Sequence, residues 1–472
     1  MKIEQIYTGC LAQGAYYVVS NNEAFIIDPL REVQPYLDRL TADGVKLKYI
    51  FETHFHADFV SGHLDLSKQT GAPIVYGPTA KTEFEAIIAE DGQVFEIGAV
   101  KIKVLHTPGH TMESTTFLLI NEEGKDEAIF SGDTLFLGDV GRPDLAQKAA
   151  DMTQEQLAGM LYESLMTKIM PLSDDITVYP AHGAGSACGK NMMKETVDTL
   201  GNQKKMNYAL NQPNKEAFIA AVTDGLLPPP AYFGHNVAMN KKGYDSFAVV
   251  KARGLAPLSP DAFETLVEAT SALILDARQP GDFYKGFIPQ SVNIGIRGDF
   301  APWVGALVGD VKQEIVLITD AGMEEEVVTR LSRVGFDKVL GYLEGGFAAW
   351  QEAGKELDQV TRIAADEFAA QFKAGESMVI DVREESEYEA EHVEDAYSKP
   401  LAYINDWTKD IQPDQHFFLH CAGGYRSMIA ASILQARGYR NFTEVDGGFG
   451  AISKTAVPRT DFVCQSKVLK TN

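Results

Sequence analysis

Four short motifs, in a fixed order, constrain this chain more than any other feature. They are Thr53-His54-Phe55-His56-Ala57-Asp58, Thr107-Pro108-Gly109-His110-Thr111, Ser131-Gly132-Asp133-Thr134 and Tyr179-Pro180-Ala181-His182-Gly183. Each directly follows a short apolar run of strand character, at residues 49–51, 100–105, 128–130 and 176–179. Imidazoles and a carboxylate set at consecutive strand ends gather on one rim of a sheet, where a metal can bind. Glycines beside the ligands allow tight turns and close backbone approach. The plainer alternative is a set of unrelated capping or core histidines. A lone His is usually that; four pieces in order, each at a strand end, are not.

The chain of 472 residues is too long for one ordinary core, and its length suggests about three domains. With 45% hydrophobic and 23% charged residues it has a globular balance, and no run approaches the roughly 18 apolar residues of a membrane span. The first seven residues carry one lysine and alternate like a strand, without the apolar block of a secretory signal. A net charge of −24 repels nucleic acid and anionic lipid, so neither is an expected partner. An anionic substrate would need locally placed Arg or Lys. Cys10, Cys188, Cys421 and Cys464 are scattered without a CxxC pair, which argues against a disulfide framework and for a reducing cytoplasm.

The rest of the chain contains a repeat. Leu273-Ile274-Leu275-Asp276-Ala277-Arg278 matches Met378-Val379-Ile380-Asp381-Val382-Arg383, and Leu343-Glu344-Gly345-Gly346-Phe347 matches Val445-Asp446-Gly447-Gly448-Phe449. In both copies strand-like runs alternate with amphipathic stretches (326–334 and 427–436), the pattern of an α/β unit with a parallel sheet. A polar helical stretch is expected over 192–210, and Pro228-Pro229-Pro230 marks an extended segment. The expected domains are 1–250, 251–358 and 359–472.

The ordered His/Asp motifs resemble the metallo-β-lactamase fold, an αββα sandwich, over roughly residues 1–250. Binuclear hydrolases of that fold read HxHxDH, where the final His helps hold a second metal. This chain has Phe59 there, which ligates nothing. Gly-Asp-Thr-Leu-Phe at 132–136 and Gly141-Arg142-Pro143-Asp144 are similar to the persulfide dioxygenase branch. That resemblance implies one Fe(II), for which Zn can substitute, held by His54, His110 and Asp133, with His56, Asp58 and His182 orienting ligands from behind. Arg142 has two readings, a partner for an anionic substrate or a salt bridge. Glutathione-using members follow Ala-His with Asp-Tyr, whereas Ala181-His182 is followed here by Gly183-Ala184-Gly185-Ser186-Ala187-Cys188-Gly189-Lys190. Small residues there suggest a wider mouth and a thiol carrier other than glutathione. Cys188 is read either as a redox-sensitive thiol or as a small core residue, and Lys190 as a carrier contact or a solvated lysine.

In the last copy, the strand-like Phe417-Phe418-Leu419-His420 leads into Cys421-Ala422-Gly423-Gly424-Tyr425-Arg426-Ser427 and a helical pattern. A strand, a glycine loop and a helix start aim backbone N–H groups at one point. Cys421 there, with Arg426 beside it, reads as a thiolate that can carry sulfane sulfur. The loop and its flanks resemble the rhodanese family over 360–455. Cys421 and Arg426 are then the expected catalytic pair, and Gly423, Gly424 and Tyr425 the expected substrate-binding positions. Aligning the double glycines offsets the copies by 102 residues, which puts Thr319 opposite Cys421 and Glu324 opposite Arg426. The first copy is therefore expected to be silent.

The resemblances together imply a persulfide dioxygenase that oxidises a small thiol persulfide with O₂ to sulfite and thiol, fused to a rhodanese that converts sulfite to thiosulfate. A homo-oligomer is expected. Two rivals stand beside it: a zinc-dependent, glyoxalase-like thioester hydrolase with rhodanese modules, and a non-enzymatic sulfur carrier or sensor.

Overall fold

The structure, a computed structural model, describes residues 1–463; Cys464 lies outside the described residues. The chain divides into two compact units, Met1–Val249 with Ser332–Gly335, and Val250–Leu331 with the chain from Phe336 on.

In the first unit two six-stranded sheets form the middle layers. Strand alternation explains why they stack. On the first sheet Tyr16, Val18, Phe25, Ile27 and Phe51 face inward, onto Phe95, Ile102, Phe117, Leu119 and Phe130 of the second. The intervening residues Ala15, Tyr17, Ala24, Ile26 and Ile50 face outward, onto Tyr36, Leu40 and Leu66 of the helices Gln34–Asp43 and His63–Thr70. Leu118, Ile129 and Val178 do the same on the far side, against Ala158, Leu161 and Phe218 of the helices Gln154–Ser164 and Lys215–Thr223. The result is the expected αββα sandwich.

The expected apolar runs are strands, Lys46–Glu52, Val100–His106, Asp126–Gly132 and Thr177–Pro180. The expected helix over 192–210 is only Leu200–Met206, with the Thr199 hydroxyl accepting from Asn202 N at its start. The residues before it are drawn elsewhere, because Met193 N donates to the Leu137 carbonyl at 2.8 Å and Asp198–Thr199 pairs as a short strand with Thr177 and Val178. Residues 226–230, with the three prolines, lie outside helix and strand. Among the described residues no helix is long and apolar enough to cross a membrane.

The second unit holds two five-stranded parallel sheets with one topology between them. The strand order is Pro257–Leu258, Val339–Leu343, Ile315–Ile318, Leu273–Asp276, Val292–Asn293, and in the second copy Arg362–Ile363, Phe442–Val445, Phe417–His420, Val379–Asp381, Tyr397–Ser398. The repeat extends to buried side chains. Arg278 lies against the Asp276 carboxylate and over the Phe347 ring, and Arg383 holds the same place against Asp381 and Phe449. Asp276 pairs with Ile318 as Asp381 pairs with His420. Thr319 therefore leaves its strand at the point where Cys421 leaves its own.

Candidate metal centre and cysteine loop

The strand ends deliver the expected side chains to one buried point. Nitrogen or oxygen atoms of His54, His110 and Asp133 lie within 4.8 Å of one another, as do those of His56, Asp58 and His182. His54 Nε2 stands 3.8 Å and His110 Nε2 3.3 Å from the same oxygen, Asp133 Oδ2. His182 Nε2 lies 3.6 Å from Asp133 Oδ1 and 3.4 Å from Asp58 Oδ2.

The hydrogen bonds behind the rings assign their tautomers. His110 Nδ1 is 2.9 Å from the Arg142 carbonyl, which can only accept, so Nδ1 carries the hydrogen and Nε2 keeps its lone pair. Thr53 Oγ1 donates to Asp28 Oδ2 at 2.8 Å and is thereby free to accept from His54 Nδ1 at 3.0 Å. Both imidazoles thus turn bare Nε2 atoms on Asp133. Burial, followed by the neighbouring rings of His56, His110 and His182, holds the His54 pKa well below the usual histidine value, so this ring is neutral. Both oxygens of Asp133 are buried without a hydrogen-bond partner. Two imidazoles and a carboxylate without hydrogen-bond partners converging in a protein interior are costly unless a cation completes them. These residues fit a divalent metal. Glycine makes the convergence possible: a Cβ on Gly141 would fall 2.0 Å from the Asp133 carbonyl oxygen and 2.9 Å from His110 Nδ1.

His56 is placed differently from the other histidines. Its Nε2 is 3.0 Å from Asp28 Oδ1 and 3.5 Å from Glu52 Oε2, and Phe59 stacks on its ring with centroids 4.3 Å apart. Burial opposes charge on this ring, but the Asp28 and Glu52 carboxylates prevail and hold its pKa well above the ordinary value. Burial likewise raises Asp58, and raises Glu52 despite His56 beside it. Ser61 Oγ donates to Glu52 Oε1 at 2.6 Å. Burial lowers His63, 3.6 Å from that same oxygen, to about 3. Asp28, Glu52 and His63 escaped the sequence reading. Asp28 follows an apolar strand like the other ligands; Glu52, inside a strand, carries no such signal.

Arg142 takes the salt-bridge reading. Its Nε and Nη2 each donate to an Asp144 oxygen at 2.7 Å, Nη1 reaches the Ala187 carbonyl at 3.2 Å, and Nη2 reaches that of Leu227 at 2.5 Å. With four donors engaged in a buried clamp, the guanidinium ties three segments together. The Lys190 ammonium donates to the carbonyls of Ala221 and Asp224, so it is neither a freely solvated lysine nor turned towards a carrier. Cys188 is buried with its sulfur in a group with Asp133 and His182, and burial, then Asp58 and Asp133, push its thiol pKa well up.

In the last copy the cysteine loop closes on its own sulfur. Gly424 N donates to Cys421 Sγ at 3.1 Å, and Ser427 Oγ lies 3.4 Å from the same sulfur. Ser427 donates to Glu444 Oε1 at 2.6 Å, and Arg362 donates to Glu444 Oε2 at 2.6 Å. Burial raises the Glu444 pKa even beside Arg362. The double glycine pins the loop from below: Phe449 N donates to the Cys421 carbonyl at 2.6 Å, and a Cβ on Gly448 would fall 2.3 Å from that oxygen. Gly423 is exposed, with nothing within 4 Å of its Cβ position, so it forms the mouth. Arg426 reaches past the sulfur to make two bonds to Glu387, at 2.6 and 2.9 Å. The Tyr425 side chain leaves the loop altogether and donates to the Gly295 carbonyl of the first copy at 2.8 Å.

Comparison with known proteins agrees with this architecture. The metallo-beta-lactamase superfamily model matches residues 8–182, and the rhodanese-like domain model matches 259–353 and 364–455. A hydroxyacylglutathione hydrolase of Francisella philomiragia is 32% identical over 198 residues, 42% of this chain and 71% of that protein. The human mitochondrial persulfide dioxygenase ETHE1 is 29% identical over 224 residues, 47% of this chain and 80% of that protein. Among solved structures, a metallo-beta-lactamase from Staphylococcus aureus superposes with a TM-score of 0.65 at 31% identity, covering 72% of this chain and 98% of that one.

Proposed function

The chain belongs to the metallo-β-lactamase superfamily and carries two rhodanese-like domains behind that fold, and on that footing we propose that it is a mononuclear iron persulfide dioxygenase coupled to a sulfurtransferase. The observation that carries the reading is the His54, His110 and Asp133 trio, two imidazoles and one carboxylate. Such a set leaves a face open, which suits ferrous iron and dioxygen. Iron held there would supply the redox chemistry by which O₂ reacts with a persulfide. A persulfide anion, O₂ and water give the free thiol, sulfite and one proton. Asp58 and His182, 3.4 Å apart beside the trio, are placed to hold and pass that proton. The exposed Ala184, Gly185 and Ala187 leave the rim low, which favours a thiol carrier other than glutathione.

Cys421 takes the outer sulfur of a persulfide donor, whose thiolate leaves, and yields it to sulfite, giving thiosulfate and the free Cys421 thiolate. Joining the two sites in one chain keeps sulfite producer and consumer at high effective concentration. The similarity to hydroxyacylglutathione hydrolases supports a second reading, a zinc thioesterase. Phe59 separates the two, because its ring occupies the motif position where a second-metal ligand stands in the hydrolases and it stacks on His56. Replacing Phe59 by His is expected to raise bound metal from one towards two ions per chain and to weaken oxygen consumption; metal analysis beside an oxygen electrode reads both. The function itself is tested by anaerobic reconstitution with iron, then oxygen uptake against a panel of thiol persulfides, with thioesters as controls. Persulfide-dependent uptake with sulfite formation is the expected result; thioester cleavage without oxygen uptake would establish the hydrolase.

A further inference from the structure

The helix Tyr425–Ala436, which starts at the cysteine loop, is buried from Ser427 through Gln435 without an exposed face. A helix lying on its own sheet alone would keep one face wet. Here the first copy supplies the cover. Its strand Val292–Asn293 packs along the helix, and Asn293 N donates to Ser432 Oγ at 2.9 Å. The contact is closest at the loop itself. Tyr425, the residue after Gly424, seats its hydroxyl on the Gly295 carbonyl, and its ring lies so near Gly298 that a Cβ there would fall 2.2 Å from the ring carbon Cζ. The docking residues themselves are not repeated. By the offset of 102, Met323 stands opposite Tyr425; by the offset of 105 that aligns Asp276 with Asp381 and Asn293 with Ser398, Pro400 and Tyr403 stand opposite Gly295 and Gly298.

The loop between Cys421 and Tyr425 is Ala422-Gly423-Gly424, and Gly424 has a φ of +102°. Two glycines leave such a loop without a shape of its own. Its Cys421 end is fixed by the double glycine of the same domain. Its other end enters the helix start, where Tyr425 docks on the first copy beside the Arg426–Glu387 and Ser427–Glu444 bonds of its own domain, and Gly424 N, one residue before Tyr425, is the group that donates to the sulfur.

We propose that the copy lacking a cysteine is the positioning element of the copy that has one, with Tyr425 as the positioning residue and the Gly295–Gly298 turn as its seat. Docked, Tyr425 aims Gly424 N–H at Cys421 Sγ; undocked, the loop loses its aim and sulfur transfer slows. The proposal rests on Cys421 being the sulfur-carrying thiol.

The test uses the full chain, with thiosulfate as donor and cyanide as acceptor. Gly298→Ala lies in the silent copy, far in sequence from the nucleophile, yet is expected to lower kcat by about ten- to a hundredfold, the scale of a small misplacement of reacting groups. Its thermal midpoint should stay near that of the wild type. Tyr425→Phe keeps the ring and loses only the hydroxyl bond, so a several-fold loss (about 3–10-fold) is expected. Removing the ring relieves the collision, so Gly298→Ala combined with Tyr425→Ala should equal Tyr425→Ala alone. A role confined to stability would show the same non-additivity in the thermal midpoint and leave kcat unchanged. Wild-type kcat in Gly298→Ala and Tyr425→Phe, or multiplying effects in the double variant, overturns the proposal. If the wild type moves no sulfur between these probes, the sulfur-carrier reading fails. The iodoacetamide rate of the Cys421 peptide, followed by mass spectrometry, then decides: the same non-additive pattern supports the clamp, and equal rates in all variants refute it.

Discussion

Asp133→Ala is expected to empty the metal centre and stop oxygen consumption while sulfur transfer at Cys421 continues. The Asp133 carboxylate faces three imidazoles, with His110 Nε2 at 3.3 Å, His182 Nε2 at 3.6 Å and His54 Nε2 at 3.8 Å, and the Cys188 sulfur lies in the same group. Its removal leaves two imidazoles on the trio and takes away the carboxylate that would balance a divalent cation. Metal chemistry of this kind is worth several kcal/mol to a reaction, so a loss on the order of a thousandfold is expected. Metal analysis should find iron close to absent. Retained iron with unimpaired uptake would mean that the trio is not the ligand set. Because the side chain is buried among charged and polar groups, a circular-dichroism comparison with the wild type and an intact thiosulfate–cyanide activity are the controls for folding.

Cys421→Ser gives the reciprocal result. The serine keeps the volume and accepts from Gly424 N, but a hydroxyl in that cradle is a far poorer nucleophile than a thiolate and cannot store sulfur as a persulfide. Sulfur transfer should fall by at least about a thousandfold, the scale of losing a nucleophile that acts with its neighbours as a unit. Oxygen uptake with a thiol persulfide should be retained, with sulfite accumulating in place of thiosulfate. Time courses of both anions separate coupled sites from independent ones. If thiosulfate forms as fast in Cys421→Ser as in the wild type, the two reactions are not coupled through this residue.

The parts of this architecture visible in the sequence were those encoded locally. Four polar motifs after four apolar runs announce a sheet rim because strands of alternating residues must end somewhere, and the ends collect ligands. The repeat was visible because Asp-x-Arg and the double glycine do the same local work twice. What escaped depends on residues distant in sequence. Arg142 takes the salt-bridge reading through Asp144, two residues on, but also through the Leu227 carbonyl, 85 residues away. The expected helix at 192–210 is shortened because Asp198 and Thr199 pair with Val178 and Thr177 of another strand, and the Leu137 carbonyl takes Met193 N. Tyr425 has the place of a substrate-binding position in its motif, yet its side chain is anchored in the other copy. Glu52 and His63 form a polar layer behind His56 that no motif marks.

The account stands on a single open-faced metal ion at the rim of the first sandwich. Nitric oxide binds an open ferrous site and makes it visible by paramagnetic resonance, so the direct measurement is the spin count of the iron-loaded chain after nitric oxide addition, set beside its iron content. One iron and one such spin per chain, both lost in Asp133→Ala, is the predicted result. Two irons per chain coupled to each other, or a nitric oxide signal that survives Asp133→Ala, would contradict it.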